Sequence, residues 1–335
     1  MRNVDEIIIN KIVVNVLDRE NNTVVISEKE LELTEEVYEY FEKHILKIFK
    51  DDDAKPAFFD GDRNIVRELY KEMLAEEDMF IANSNKLSQY LFKCMANDEK
   101  DVSGDLAVCQ FEGQDGRYLA LLKMNFANSY CNYIREAEGK PCVTVGVSRT
   151  GLPGIGQKAS KAVVIKDTED ESEFNLLVAD KELEGAFINA FLKCKFVRDR
   201  RENTKILHKA SENFARKVFK DNVQEAESFR NKMRGFLRNE DSIDVERIAE
   251  SFTDTLVKNE YKAVLLNEGI EEKEVPIDRE WAEKKLKRKR LKVDKSIELY
   301  IDSDVYNDNE RFQIKRNGDG TIDIILKNVK NYIER

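Results

Sequence analysis

Leu106-Ala107-Val108-Cys109-Gln110-Phe111 and Tyr118-Leu119-Ala120-Leu121-Leu122-Lys123-Met124 flank the polar segment Glu112-Gly113-Gln114-Asp115-Gly116-Arg117. Two apolar runs of strand length around a short glycine-containing segment spell a β-hairpin. Both runs are apolar enough to be central in a sheet. Upstream, Ile7 to Val16 and Thr23 to Ile26 read as two β-branched strands around the polar turn Asp18-Arg19-Glu20-Asn21-Asn22. Thr34 can cap the helix that follows, in which Val37, Phe41, Ile45 and Ile48 recur at helical spacing. His44 lies off that stripe and is expected on the exposed side. Asp51-Asp52-Asp53 and Phe58-Phe59-Asp60-Gly61-Asp62 read as loops, because Asp bonds readily to nearby backbone amides and so suits turns and caps better than a metal site.

Ile65 to Leu74 and Met79 to Met95 carry helical periodicity, with Leu87, Leu91 and Cys94 on one face. Downstream of the hairpin, strands are expected at Val143 to Val147, Ala162 to Ile165 and Phe174 to Val178. Residues 1–182 therefore read as an α+β domain, an antiparallel sheet with helices inserted after its first hairpin. From Leu183 the pattern turns helical: Leu207, Ala210, Phe214 and Val218 form one stripe, and Ala226, Phe229, Met233 and Phe236 another. A third stripe, Val245, Ile248, Ala249 and Phe252, follows Ser242 as its cap. Residues 183–275 form a helical module opened by a basic segment. Residues 276–335 return to strands: a basic strand, then Ser296 to Ile301, Arg311 to Arg316 and Thr321 to Lys327, the last two joined by Asn317-Gly318-Asp319-Gly320.

At 335 residues the chain has room for two domains, or three small ones. The start, Met1-Arg2-Asn3-Val4-Asp5-Glu6 into Ile7 to Val14, lacks a small-residue cleavage site, and no run reaches the ~20 apolar residues of a membrane span. A cytoplasmic location without membrane contact is expected. The five cysteines (Cys94, Cys109, Cys131, Cys142, Cys194) never form C-x-x-C and read as reduced, mostly buried thiols. With only His44 and His208, imidazole-based metal or triad chemistry lacks parts, and no cofactor is expected. Gly151-Leu152-Pro153-Gly154-Ile155-Gly156-Gln157-Lys158 has neither the P-loop order nor the dinucleotide fingerprint and reads as an irregular connection. Asp302-Ser303-Asp304 with Asp308 and Glu310 is no calcium loop, since Asn307 and Gln313 stand where glycine and glutamate are required.

The formal net charge is -10, but positive charge is gathered in two places. Lys193 to Lys220 holds ten basic residues against three acidic, a net +7; Arg279 to Lys295 holds nine against three, a net +6. The remainder carries -23. Glu283 to Val293, with seven Lys or Arg, reads as one strand whose even-numbered Arg288, Arg290 and Lys292 project from one face at twice the ~3.3 Å rise per residue. That repeat resembles the separation of phosphates along a nucleic-acid strand. The candidate contacts are Lys193, Lys195, Arg198, Arg200, Arg201 and Lys205 in the first segment and Lys287, Arg288, Lys289, Arg290 and Lys292 in the second.

Asp5-Glu6-Ile7-Ile8-Ile9-Asn10-Lys11, Tyr118 to Met124, Leu152-Pro153 with Gln157 to Ile165, Ile243 to Ala249, Arg290-Leu291-Lys292-Val293-Asp294 and Asn317-Gly318-Asp319-Gly320-Thr321-Ile322, in this order, resemble the bacterial nucleoid-associated protein family known as NdpA. The resemblance implies a cytoplasmic, nucleoid-associated DNA-binding protein of the bacterial chromosome, not an enzyme, with type II topoisomerases linked to the family. It supplies no residue-level motif, so the contacts rest on charge and spacing alone.

The expectation is largely sequence-independent binding of double-stranded DNA through Lys and Arg contacts to phosphates, which position a protein without reading bases. About six neutralised phosphates give a slope of log K against log salt near -5. Phe191, Phe196 and Trp281 are too sparse for single-strand stacking. Two other readings stand beside it: an acidic adaptor that engages a DNA-associated partner such as a type II topoisomerase, and a Mg²⁺-dependent nuclease built on Glu173, Asp180 and Lys181. The sequence leaves homo-oligomerisation open.

Overall fold

A computed structural model describes residues 4–333 apart from 62, 97, 138, 169–174, 221, 294, 319, 320 and 332. The chain divides into two compact units, Met1–Val197 and Arg198–Arg335.

The first unit runs β1 (Ile8–Asp18), β2 (Thr23–Val25), α1 (Glu35–Lys50), β3 (Lys55–Phe59), α2 (Ile65–Ala75), α3 (Met79–Met95), β4 (Gly104–Gly113), β5 (Gly116–Asn125), β6 (Ala127–Ala137), β7 (Lys140–Gly151), β8 (Lys161–Lys166), β9 (Leu176–Asp180), a π-helical segment Phe187–Leu192 and β10 (Cys194–Phe196). Eight of its strands form one sheet in the order β10-β3-β9-β8-β5-β4-β1-β2, antiparallel throughout. The β4–β5 hairpin closes on the pair Gly113↔Gly116, and the φ of +136° at Gly116 is open to glycine far more than to other residues.

Both faces of the central strands are covered, which is why they read as continuous apolar runs. Leu106, Val108, Leu119, Leu121, Val163 and Val178 meet α2, α3 and the π-helical segment through Tyr70, Phe80, Leu87 and Phe187. Ala107, Cys109, Phe111, Ala120, Leu122 and Val164 meet α1 through Phe41, Ile45, Ile48 and Phe49. Burying each large side chain of this kind stabilises the fold by about 1.5–3 kcal/mol.

Several details depart from expectation. Phe58 and Phe59 belong to a strand, not a loop: β3 pairs with β9 (Ala57↔Leu176) and with β10 (Phe58↔Lys195). His44 is 1% exposed rather than on the surface. The glycine-containing loop folds over this part of α1 and widens its buried arc: the Tyr40 hydroxyl donates to the Pro153 carbonyl (2.8 Å), and the Lys47 ammonium to the Gln157 carbonyl (2.9 Å). The strand expected at Val143 to Val147 is part of β7, which pairs with the unforeseen β6 in a two-stranded ribbon of its own. Phe174 lies outside the described residues, and that strand runs Leu176–Asp180.

The second unit runs α4 (Arg200–Val218), α5 (Val223–Asn239), β11 (Ser242–Asp244), α6 (Val245–Glu250), α7 (Thr255–Asn267), β12 (Glu274–Pro276), α8 (Arg279–Leu286), β13 (Arg288–Val293), β14 (Ile297–Asp302), α9 (Ser303–Asn307), β15 (Phe312–Arg316) and β16 (Ile322–Leu326). With its central sheet, helices and C-terminal strands the protein is α+β. The second core packs Leu207, Phe214, Phe229, Met233, Ile248 and Tyr261 together with Ile277, Ala282 and Leu286. Phe214 contacts Phe219, Phe229, Phe252 and Tyr261 with ring centroids 5.0–5.6 Å apart.

Ser242 lies in β11, and the cap of α6 is Asp244, which accepts from the amides of Glu246 and Arg247. The basic stretch is not one strand. Asp278 caps α8 by accepting from the Trp281 amide (2.9 Å), and the chain stays helical through Leu286 because Ala282 and Leu286 are buried in the core. Strand geometry starts at Arg288. Asn317 and Gly318 follow β15 as expected; Asp319 and Gly320 lie outside the described residues.

Candidate nucleic-acid interface

The pairing of β13 with β14 sets Arg288 opposite Asp302, Arg290 opposite Tyr300 and Lys292 opposite Glu298. Side chains alternate across a strand. Arg288, Arg290 and Lys292 are accordingly exposed, while Lys289 between them is buried. Its ammonium sits 3.5 Å from the centre of the Tyr306 ring, 3.2 Å from Glu227 Oε2 and 3.1 Å from Asn231 Oδ1. Burial is the main cause that lowers the Lys289 pKa to about 8. Burial works to raise the pKa of Glu227, but Lys289 and Arg230 outweigh it and hold the carboxyl below its ordinary range.

Arg290 is bonded to Glu298 Oε1 (2.6 Å), with its guanidinium carbon 5.8 Å from the Tyr300 ring centre. That hydrogen bond is the main cause that raises the Arg290 pKa and lowers that of Glu298. Among the described residues, the exposed Lys287, Arg288 and Lys292 make no ion pair. Beneath β13 lies a cavity of about 360 Å³. In its wall Arg230 bonds Glu212 (2.9 Å) and Glu227 (3.0 Å), and Arg234 stands 3.5 Å from Glu212. Burial lowers the pKa of His208, which also lines it. Arg230 and Arg234 escaped the sequence reading, although their i, i+4 spacing on α5, continued by Arg238, is a recognisable stripe.

The first basic segment straddles the boundary between the units. In the first unit, Lys193 ends the π-helical segment at φ +46°, its carbonyl accepting from the Asp60 amide (2.7 Å); its side chain is exposed. The exposed Lys195 pairs with Asp60 (2.8 Å). In the second unit, Arg198 donates to the Gly269 carbonyl, and Arg201 bonds Asp278 (3.0 Å) with its side chain 13% exposed. Lys205 is half-buried, and Arg200, the first residue of α4, is exposed without an ion pair among the described residues. Farther along α4, Lys209 bonds Glu268 (3.1 Å). Several of these cations therefore hold the second unit together, and only part of the net +7 faces outward uncommitted.

The acidic residues form no metal centre: among the described residues no group of three or more His, Cys, Asp or Glu is placed to hold an ion. Glu173 lies outside the described residues, and Asp180 is 8% exposed, with a pKa raised mainly by burial. Asp180 belongs to a cluster of buried charge in the first unit. Lys161 bonds Asp101 (2.6 Å), and the Lys123 ammonium bonds the Val102 carbonyl (3.1 Å) and Asn125 Oδ1 (3.0 Å). Burial pushes Lys123 down to about 8 and Asp105 up to about 6. No helix of the described residues is long and apolar enough to cross a membrane.

Among known families, the chain matches the one described as nucleoid-associated protein YejK over residues 13–334. No curated protein matches it.

Proposed function

The chain belongs to the nucleoid-associated protein YejK family, and from that premise we propose that it binds double-stranded DNA directly, without sequence preference, through phosphate contacts from β13. A nucleoid-associated role is what the family carries; the contact surface is the new element. One observation supports it above the others: β13 turns Arg288, Arg290 and Lys292 to one exposed face while Lys289 points inward into its own counter-charges.

Residues two apart on a strand repeat at about 6.6–6.8 Å, so the three side chains can follow consecutive phosphates of one strand. Lys287 adds a fourth exposed cation where the helix gives way to the strand. The Arg290–Glu298 pair is exposed and screened by solvent, so a phosphate can replace the carboxylate. Contacts of this kind fix position and carry no base readout. Arg200, Lys193 and Lys195 are secondary candidates, exposed and outside the protein's cores.

The test is a gel-shift titration of duplex DNA with the wild type and with the triple variant Arg288→Glu, Arg290→Glu, Lys292→Glu. Loss of the shifted band in the variant is expected. An unchanged titration would remove β13 from the interface.

A further inference from the structure

The two-stranded ribbon of β6 and β7 has one apolar face exposed to water. Directly paired residues of an antiparallel ribbon lie on the same side, and the pairs Tyr130↔Val147, Asn132↔Val145 and Ile134↔Val143 stack along one of them. Tyr130 is 73% exposed, Ile134 79%, Val143 68%, Val145 62% and Val147 50%. The other side is finished differently. It carries Cys131, Arg135, Cys142 and Thr144, and the Tyr133 ring lies so close over Gly146 that a Cβ there would meet it at 2.3 Å. Both sides of the ribbon are exposed, but that side is mixed, with a charged Arg135 and a 46% exposed Tyr133 folded over Gly146, while the other presents five apolar side chains to water in one row. A contiguous apolar face of this kind marks an interface.

Three features of that face select its occupant. It bears no formal charge from Tyr130 through Ile134 or from Val143 through Val147, so two such faces can meet although each chain carries a net -10. A nucleic acid finds no cation in that stretch, the exposed Arg149 standing two residues beyond Val147 at its end. Second, the one polar residue in the stripe is Asn132, exposed and near its middle. A primary amide both donates and accepts, so Asn132 is satisfied by its own copy across a two-fold axis; a wholly apolar partner would leave it buried and unpaired, at about 1–3 kcal/mol. A single Asn in an apolar seam fixes register in coiled coils by the same means. Third, the five side chains are each half or more exposed and stand in one row, so pairing two copies removes all of them from water together.

We infer that the partner of this face is a second copy of the chain: the two β6–β7 ribbons pack face to face as an isologous pair, with Asn132 at the axis. The inference is independent of DNA binding, and its test uses none.

Sedimentation equilibrium of the full chain is measured for the wild type, for Val145→Lys and Ile134→Lys on the bare face, and for Cys142→Lys on the opposite, exposed side. The wild type and Cys142→Lys are expected to be dimers. Each bare-face variant buries two unpaired ammonium groups per dimer and is expected to raise the dissociation constant at least about 100-fold. Circular dichroism spectra of all four proteins should coincide, because every substituted position is exposed. Asn132→Asp sets two carboxylates face to face, so its dimer is expected to be weak at pH 7 and to recover as pH falls below the carboxylate range near 4. A monomeric wild type would overturn the inference, as would a dimer that survives Val145→Lys or one that Cys142→Lys dissociates equally. An Asn132→Asp dimer indifferent to pH would remove Asn132 from the axis.

Discussion

Changing Arg288 and Lys292 together to Gln removes two cations that make no ion pair among the described residues and leaves the β13–β14 pairing in place. The two positions are four residues apart, about 13 Å along the strand, so each can serve a different phosphate. Each phosphate contact contributes about 0.9 to the slope of log K against log salt on duplex DNA. The double variant is therefore expected to flatten the wild-type slope by about 1.8 for each copy that engages the duplex. The same relation makes the loss of affinity depend on salt: for one copy, about 60-fold at 0.1 M and about 18-fold at 0.2 M, with the curves converging near 1 M. Fluorescence anisotropy of a labelled duplex across a salt series measures both quantities. Because the two side chains are exposed, stability should move by no more than about 0.5 kcal/mol, which urea unfolding checks. A slope unchanged within 0.3 or so would refute the reasoning, since no phosphate contact can be lost without releasing fewer counterions. A loss of affinity that is the same at every salt concentration would refute it too, because it would point to a non-ionic contact.

Other perturbations test the parts around that strand. Lys289→Ala should lower stability by about 1–3 kcal/mol in urea unfolding, by leaving Glu227 short of a partner, yet leave the DNA salt slope untouched; a flattened slope would mean that Lys289 reaches outward. Glu298→Gln should strengthen duplex binding several-fold in the same anisotropy assay, because it frees Arg290 and removes a negative charge beside the phosphates; weaker binding would contradict that role. Asp105 is raised from 3.8 to about 6, so the folded state holds its proton more tightly than the unfolded chain, and stability is lost as pH rises from about 4 through 6. Asp105→Asn should flatten that fall and gain up to about 2 kcal/mol at pH 7, with Lys123 losing a counter-charge as the offset; an unchanged pH profile of the thermal midpoint would show that Asp105 is solvated. Leu121→Ala, in the centre of β5 at 0% exposure, should cost about 2–5 kcal/mol in urea unfolding, and a cost under 1 would contradict the two-sided burial of the sheet.

The elements legible in the sequence are those whose cause is local. The β4–β5 hairpin is written in two apolar runs closed by Gly113 and Gly116, and α1 in Thr34 with the stripe Val37, Phe41, Ile45, Ile48. β3 and β10 are strands because of distant neighbours: a five-residue segment containing Pro56 has little strand signal until β9 and β10 lie on either side of it. His44 is buried by a loop more than a hundred residues away, which no helical wheel shows. In β13 the period of two sets Arg288, Arg290 and Lys292 on one face, yet the sequence reading counts Lys289 with them as a contact; it is buried instead, because Glu227 and Tyr306 hold it from the inner side. In the first basic segment the charge count gave no hint that Arg201 and Lys209 answer to Asp278 and Glu268. Those pairings are tertiary, and composition does not record them.

The difference between counted and uncommitted charge changes the expected salt dependence of binding. The two basic segments together suggested about six phosphates and a slope near -5. The exposed set at β13 is Lys287, Arg288, Arg290 and Lys292, so a single copy using it alone should show a slope near -3.6. Two copies whose β13 faces engage one duplex should approach twice that value, about -7. The dimer-breaking variant Val145→Lys separates the cases, because it lies in the first unit and leaves every β13 cation in place. If the wild type binds as a pair on one duplex, Val145→Lys should halve the slope while Arg288→Gln still lowers what remains by about 0.9. Equal slopes for the wild type and a monomeric Val145→Lys would show that each copy grips DNA alone, and that the ribbon joins copies bound to separate duplexes.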